Sequence, residues 1–450
     1  PPMQPAQPYH PATGNPLCLQ PNADPPSWLP GTWSRRWSIL SRRVFTALEE
    51  PSMRMRSRLV LSFAVASSLL AVPDAFAQAS AQAGHDCLPT SPFPCSTAED
   101  EGLDPFVIEA FMNDVAWWVE QGRLVGGELL VIVNGHIVWH QAVGWSDRDR
   151  RTPLERNSIY RLRSMTKPFT GAAILVLAEE GRLDLDDPAA MYLSSFDNER
   201  SGTITIRELL THGAGFEQTR FPDGYWARPD LRSAVDLVGE VGPPNPPGES
   251  YRYSDHNSAT LGAIVAEVTG APVEAFIQTR ILDPLGLRDT HAHFSPDSAW
   301  APRMNSTYGT SSDGSLERYW DPSMQQRTPW FRASGGLYST VFDYARWLTV
   351  WMNLGAYEEG RLLEEATVRE ALAPGYSPRY GMHWERSGDP EGNSFLPAFG
   401  HSGSDGTFAM AFPEVDAMVF YFTQSRGARG VWQEAMSQIP GRVGLEATAE

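Results

Sequence analysis

The chain predicts an α+β fold: one antiparallel sheet built from strands near its two ends, flanked by helices, with a mainly helical lobe inserted between them. Three observations carry that expectation. Two β-rich runs, 128–133 and 137–143, flank Asn134-Gly135, a pair that takes positive φ readily and is a strong hairpin signal. A second pair of runs, 407–412 and 418–423, brackets Pro413-Glu414-Val415-Asp416. The stretch between is helical and loop-rich, and neither strand pair is stable alone, so joining both in one sheet is the economical solution.

Before the first strand, Phe106, Ile108, Phe111, Val115, Trp118 and Val119 recur at roughly helical spacing over 103–121, and Gly122 ends the run. In the middle, 171–180, 258–269, 272–282 and 341–353 read as helices, separated by Pro/Gly segments such as 242–248. A last helix is expected over 431–439. This assigns 103–163 and about 331–450 to the sheet lobe and about 164–330 to the helical lobe, with a cleft between lobes as the place for a site.

Upstream of 103 the composition changes. Residues 1–52 are rich in proline and arginine and show no sustained period, so they are expected to be disordered. Met53-Arg54-Met55-Arg56-Ser57-Arg58, an apolar run over 59–72 and Ala75-Phe76-Ala77 then read as a signal peptide spanning 53–77, which predicts export to the periplasm or beyond. The apolar run is too short for a membrane anchor. In the loop 78–102, Cys87 and Cys95 flank a proline-rich stretch, and an oxidising compartment favours a local disulfide between them; without export they would be two free thiols.

A length of 450 residues with 42% hydrophobic and 20% charged content suits a globular protein with a substantial core. The formal net charge of -18 repels phosphate backbones and anionic lipid, which argues against nucleic-acid or membrane partners and for a small-molecule substrate. His291-Ala292-His293 has no third ligand at metal spacing, and no dinucleotide fingerprint, phosphate-cradling loop or Gly-x-Ser-x-Gly elbow occurs, so neither metal nor cofactor is expected. His212 reads as a hydrogen-bonded structural residue. Trp226, Trp320 and Trp330, in Gly/Pro-rich loops, are candidates for lining an apolar acyl pocket or for core packing.

Among 36 Lys and Arg residues, Lys167 is the only lysine, and it stands three residues after Ser164. A guanidinium never deprotonates near neutral pH, whereas a desolvated ammonium can become a base, so Lys167 is suited to a task arginine cannot perform. In Ser164-Met165-Thr166-Lys167-Pro168 the proline places the segment at a helix start, where residues three apart share a face. A serine hydroxyl needs a neighbouring base to become a nucleophile. Tyr253-Ser254-Asp255 follows a Pro-rich loop and offers either a second proton carrier or a helix cap by Ser254 or Asp255. Gly400-His401-Ser402-Gly403-Ser404-Asp405-Gly406-Thr407 leads into a late strand, with small residues that let a ligand approach the backbone.

These three segments, in this order, resemble the serine β-lactamase and penicillin-binding-protein superfamily, in the branch of class C β-lactamases, D,D-carboxypeptidases and family VIII carboxylesterases. The likeness spans about 103–439 and includes Ile206-Arg207-Glu208-Leu209-Leu210-Thr211-His212, Asp283-Pro284-Leu285-Gly286-Leu287 and Ala333-Ser334-Gly335-Gly336-Leu337-Tyr338-Ser339-Thr340. It implies a β-lactamase/transpeptidase-like fold, Ser164 as acylated nucleophile, Lys167 as its proton partner and Tyr253 as second base and acid. It further implies an oxyanion hole from the backbone N–H groups of Ser164 and Ser404, the latter as a strand residue, with substrate contacts from Asp255, His401, Ser402 and Gly403.

Two departures narrow the expectation. Asp255 stands where class C β-lactamases have asparagine; a carboxylate cannot donate to a substrate carbonyl, and it tends to hold Lys167 protonated. His401 stands where many relatives have lysine and offers at most a partial charge for a β-lactam carboxylate. The resulting expectation is an exported serine hydrolase of carboxylic esters. Hydrolysis of β-lactams, D-amino-acid peptides or amides is the alternative, and a non-catalytic sensor of cell-wall fragments or antibiotics is a third.

Overall fold

The computed structural model describes residues 87–218, 220–326, 328–387 and 398–427. The segment 1–52, the signal peptide expected over 53–77 and the helix expected over 431–439 lie outside these residues. Helix α1 (Pro105–Glu120) opens on a proline in its first turn and is capped by Asp104, whose carboxylate accepts the Phe106 N–H at 3.0 Å. Strands β1 (Gly126–Val133) and β2 (His136–Asp147) follow, joined through Asn134 and Gly135 at φ of 50° and 74°. Positive φ at both turn residues is what the tight hairpin requires.

The two ends of the fold meet in one sheet, as the strand pattern predicts. With β3 (Thr152–Pro153), β4 (Glu385–Ser387), β5 (Ala398–Ser402), β6 (Thr407–Phe412) and β7 (Ala417–Thr423), the order is β4-β5-β6-β7-β1-β2-β3, every neighbour antiparallel. The strand β7 therefore pairs with β1, placing Leu129 opposite Tyr421 and Val131 opposite Val419. Side-chain alternation divides the sheet's faces. Leu129, Val131, Val419 and Tyr421 pack with Ile108, Phe111 and Val115 of α1, while Leu130, Ile132, Phe420 and Phe422 join the larger core of the helical lobe. Burying each such side chain contributes about 1.5–3 kcal/mol.

Helix α2 (Lys167–Glu179) is buried from Lys167 through Leu177 and forms the axis of that larger core. Helix α3 (Asp255–Thr269) starts earlier than the periodicity suggests, because Ser254 caps it by accepting the His256 N–H at 3.2 Å; Gly270, at φ of 71°, ends it. The expected helix over 272–282 divides into an α-helical turn, Val273–Ile277, and a wider π turn, Gln278–Leu282. Helix α4 (Val341–Met352) bridges lobe and sheet: Trp347 stacks on Phe169 of α2 at 4.3 Å, and Tyr344 meets Phe422 of β7 at 6.2 Å. Cys87 and Cys95 are disulfide-bonded, their Cα atoms 6.0 Å apart.

Candidate active site

A 3-10 turn, Arg163–Thr166, feeds directly into α2 and carries Ser164. Lys167, wholly buried, stands one turn along, with Nζ 3.3 Å from Ser164 Oγ. The same Nζ donates to Asp255 Oδ1 at 2.7 Å and to the Ser334 carbonyl at 3.1 Å. Three acceptors match the three N–H bonds of an ammonium, so the resting geometry is that of a charged lysine. Burial pulls the Lys167 pKa below the ordinary lysine range, and the Asp255 carboxylate opposes part of that fall.

Tyr253 closes the triangle. Its ring centre lies 4.7 Å from Lys167 Nζ, and Ser164 is close enough to act on its phenol. Burial and the nearby Asp255 charge hold the phenol well above its ordinary pKa, which keeps it a neutral proton donor. His212 backs this ring at 4.6 Å, and its Nδ1 is 2.6 Å from Asn257 Nδ2. Burial keeps that imidazole neutral, in line with a structural part.

Ser164 and Ser404 line one cavity of about 660 Å³, together with Trp226, Trp320, Trp330 and Phe221. Among the described residues, neither the Ser164 nor the Ser404 backbone N–H donates to a backbone carbonyl. Such preorganised donors suit a developing oxyanion. All three tryptophans singled out as candidate pocket residues thus reach the cavity.

The family model for beta-lactamases matches residues 107–435, most of the chain. The chain belongs to the beta-lactamase family. A putative penicillin-binding protein, PbpX, of Bacillus subtilis is 28% identical over 274 residues, 61% of this chain and 65% of that relative, so the chain spans a little under two thirds of its length. A putative D-alanyl-D-alanine carboxypeptidase of Salmonella enteritidis is 27% identical over 318 residues, 62% of this chain and 72% of the relative. The solved structure of EstCE1, a hydrolase with promiscuous acyltransferase activity, superposes with a TM-score of 0.64 at 20% identity, covering 75% of this chain and 98% of its own.

Within this beta-lactamase-family frame, parts of the third segment sit differently from their expected roles. His401 is 1% exposed; its Nδ1 is 2.8 Å from the Ser402 carbonyl and its Nε2 3.1 Å from the Tyr380 hydroxyl, and burial lowers its pKa. It therefore presents no positive charge to the cavity. Ser402 points its hydroxyl at Glu385, 2.8 Å away. At Gly403 a Cβ would run into Thr407 Oγ1 and the Leu162 carbonyl, so the small residue is demanded by the protein's own packing. Ser404 stands in a turn and not in a strand, because Gly403 N–H bonds the Thr407 carbonyl at 2.7 Å and Gly406 bends the chain at φ of 106°.

Sequence reasoning missed several groups around the site. Arg332 reaches to within 3.3 Å of Asp255 Oδ2, and Gln218 accepts the Asp255 N–H at 2.8 Å. Arg163 and Asp405, neighbours of Ser164 and Ser404, join at 2.5 Å through Nε and Oδ2. Arg163 holds a left-handed φ of 52°, a costly conformation for a residue with a Cβ. Its position beside the serine was the one available signal; Arg332 and Gln218 come from loops with no local pattern.

Proposed function

We propose that this chain is a serine hydrolase that cleaves carboxylic esters through an acyl-enzyme on Ser164. The observation that supports the reading most is the single lysine, buried and 3.3 Å from the serine hydroxyl, with the Tyr253 ring centre 4.7 Å from its Nζ. The fraction of Lys167 that has lost its proton accepts the Ser164 proton as Oγ attacks the ester carbonyl carbon. The oxyanion rests on the two free N–H groups. Tyr253 then gives its phenolic proton to the departing alkoxide, the C–O bond breaks, and Lys167 returns a proton to Tyr253. Water, deprotonated by the same groups, releases the acid and restores Ser164.

The relatives named as penicillin-binding protein and carboxypeptidase keep β-lactams and D-amino-acid peptides as the second reading. Against it stand Asp255, which is acceptor-only and committed to Lys167 and Arg332, and the neutral His401. Chromogenic esters and a cephalosporin offered side by side to the wild type and Ser164→Ala test the order. Ester turnover that disappears with Ser164 supports the first reading, and turnover of the cephalosporin alone reverses it. A fluorophosphonate should add its mass at Ser164, whereas an unmodified chain would indicate a binding protein. Export belongs to the same proposal, supported by the 53–77 pattern and the Cys87–Cys95 bond; N-terminal sequencing of secreted protein checks it.

A further inference from the structure

The cavity that holds Ser164 also gathers cations. Arg161, in the short strand Tyr160–Arg161, lines it with Arg163, Arg332 and Arg426, and Asp255 is the carboxylate among the lining residues; the buried Asp405 lies behind Arg163. Both carboxylates are already engaged: Asp255 pairs with Lys167 and Arg332, while at Asp405 Arg163 Nε is 2.5 Å from Oδ2, the Tyr319 hydroxyl donates to Oδ1 at 2.7 Å, and Arg426 Nη1 is 3.7 Å from Oδ1. Arg161 makes no ion pair and no hydrogen bond among the described residues. Its guanidinium lies 4.5 Å from the Trp320 ring centre, and its Nη1 is buried with no acceptor. Four guanidinium groups against Asp255 in the lining and Asp405 behind it leave an excess of positive charge at the cavity of a chain whose formal charge is -18.

A desolvated cation without a directly bonded partner is costly, and burial together with Arg163 works against the charge of Arg161, with Asp405 opposing that only in part. The missing partner has room in the cavity. A guanidinium presents a planar fork of donors that fits a carboxylate in two bonds, and the indole face of Trp320 holds that plane in orientation. The leaving alcohol departs beside Tyr253, which protonates it. The arginines instead stand with Asp405, next to Ser404, so they face the acyl portion.

Building on the acyl-enzyme reading above, we propose that the cavity takes esters whose acyl chain ends in a free carboxylate, bound by Arg161 with Arg426 beside it. The carboxylate supplies the counter-charge that the folded chain leaves open.

The test compares p-nitrophenyl hydrogen glutarate with p-nitrophenyl pentanoate, an anionic and a neutral ester of similar acyl length. The wild type should show a kcat/KM about tenfold or more in favour of the glutarate ester. Arg161→Met should bring that ratio to about one, and Arg161→Lys should leave an intermediate ratio, with thermal unfolding reporting whether each variant is folded. A wild-type ratio of one or less, or a ratio unchanged in a folded Arg161→Met, overturns the proposal. Inhibition of wild-type pentanoate hydrolysis by glutaric acid monoamide against neutral glutaramide answers the same question without a variant: the monoamide should bind more tightly, and equal inhibition counts against the site. Turnover of the neutral ester without any carboxylate preference sinks this inference alone. Absence of both ester turnover and a fluorophosphonate adduct sinks the acyl-enzyme reading beneath it.

Discussion

Burial and Asp255 act in opposite senses on the charge of the only lysine in the chain, and in the proposed mechanism their balance sets the working pH. The carboxylate, 2.7 Å from Lys167 Nζ, favours the ammonium, while burial favours the free amine. A base must be unprotonated to accept the Ser164 proton, so on the proposed mechanism activity should rise with pH through the Lys167 pKa. Asp255→Asn removes the group that raises this pKa and leaves the burial that lowers it. The acidic limb of the kcat/KM profile should therefore move to lower pH. A limb that stays in place or moves upward would show that Lys167 is not the titrating base. Lys167→Arg, which keeps the charge but cannot give up a proton, should lose about 10²–10⁴ in kcat at every pH. Single-turnover rates across the pH range measure both.

At the scale of elements, the turn between β5 and β6 positions the Ser404 N–H, the second oxyanion donor of the proposed mechanism. Gly403 is pressed against the Leu162 carbonyl, just before the nucleophile's turn, and against Thr407. Gly403→Ala should force these backbones apart, costing about 1–3 kcal/mol of stability as overpacking does, and it should displace the Ser404 N–H. The expected result is a fall in kcat larger than any change in KM, together with a lower unfolding midpoint; full kcat in a destabilised variant would separate Ser404 from the oxyanion. What the sequence made legible follows the range of the interactions. The Asn134-Gly135 hairpin, the Ser164/Lys167 pair and the cap of α3 are decided within a few residues, and each is where its local pattern puts it. Strand β5 reads as a Gly-rich turn because Gly400, His401 and Ser402 have little β-propensity, and its pairing with β4 and β6 overrides that. The partners Arg332 and Glu385 reach the site's surroundings through contacts distant in sequence, which leave no periodic trace in one chain.

For the molecule as a whole, the sheet order makes the two ends of the fold interdependent. Strand β7 lies between β6 and β1, so the hairpin formed early in the chain gains its second neighbour only after residue 417. Until then β1 presents an unpaired edge, and Leu129 to Ile132 have only one strand beside them. The helical lobe is no more self-sufficient, since α4 packs between Phe169 of α2 and Phe422 of β7. Closing pairings across such separations is slow, because the loop entropy is spent before the contacts form. It also means that no half of the chain holds a complete core. A chain ending at residue 405 should accordingly lose the single sharp thermal transition of the full chain, with a broad signal in near-UV circular dichroism and exposed apolar surface that binds a hydrophobic dye. Adding residues 406–450 back as a separate chain should restore part of the transition if the central pairing is what is missing. A truncated chain that still melts cooperatively, with native near-UV signal, would place the folding unit in the helical lobe and contradict a core shared through the sheet.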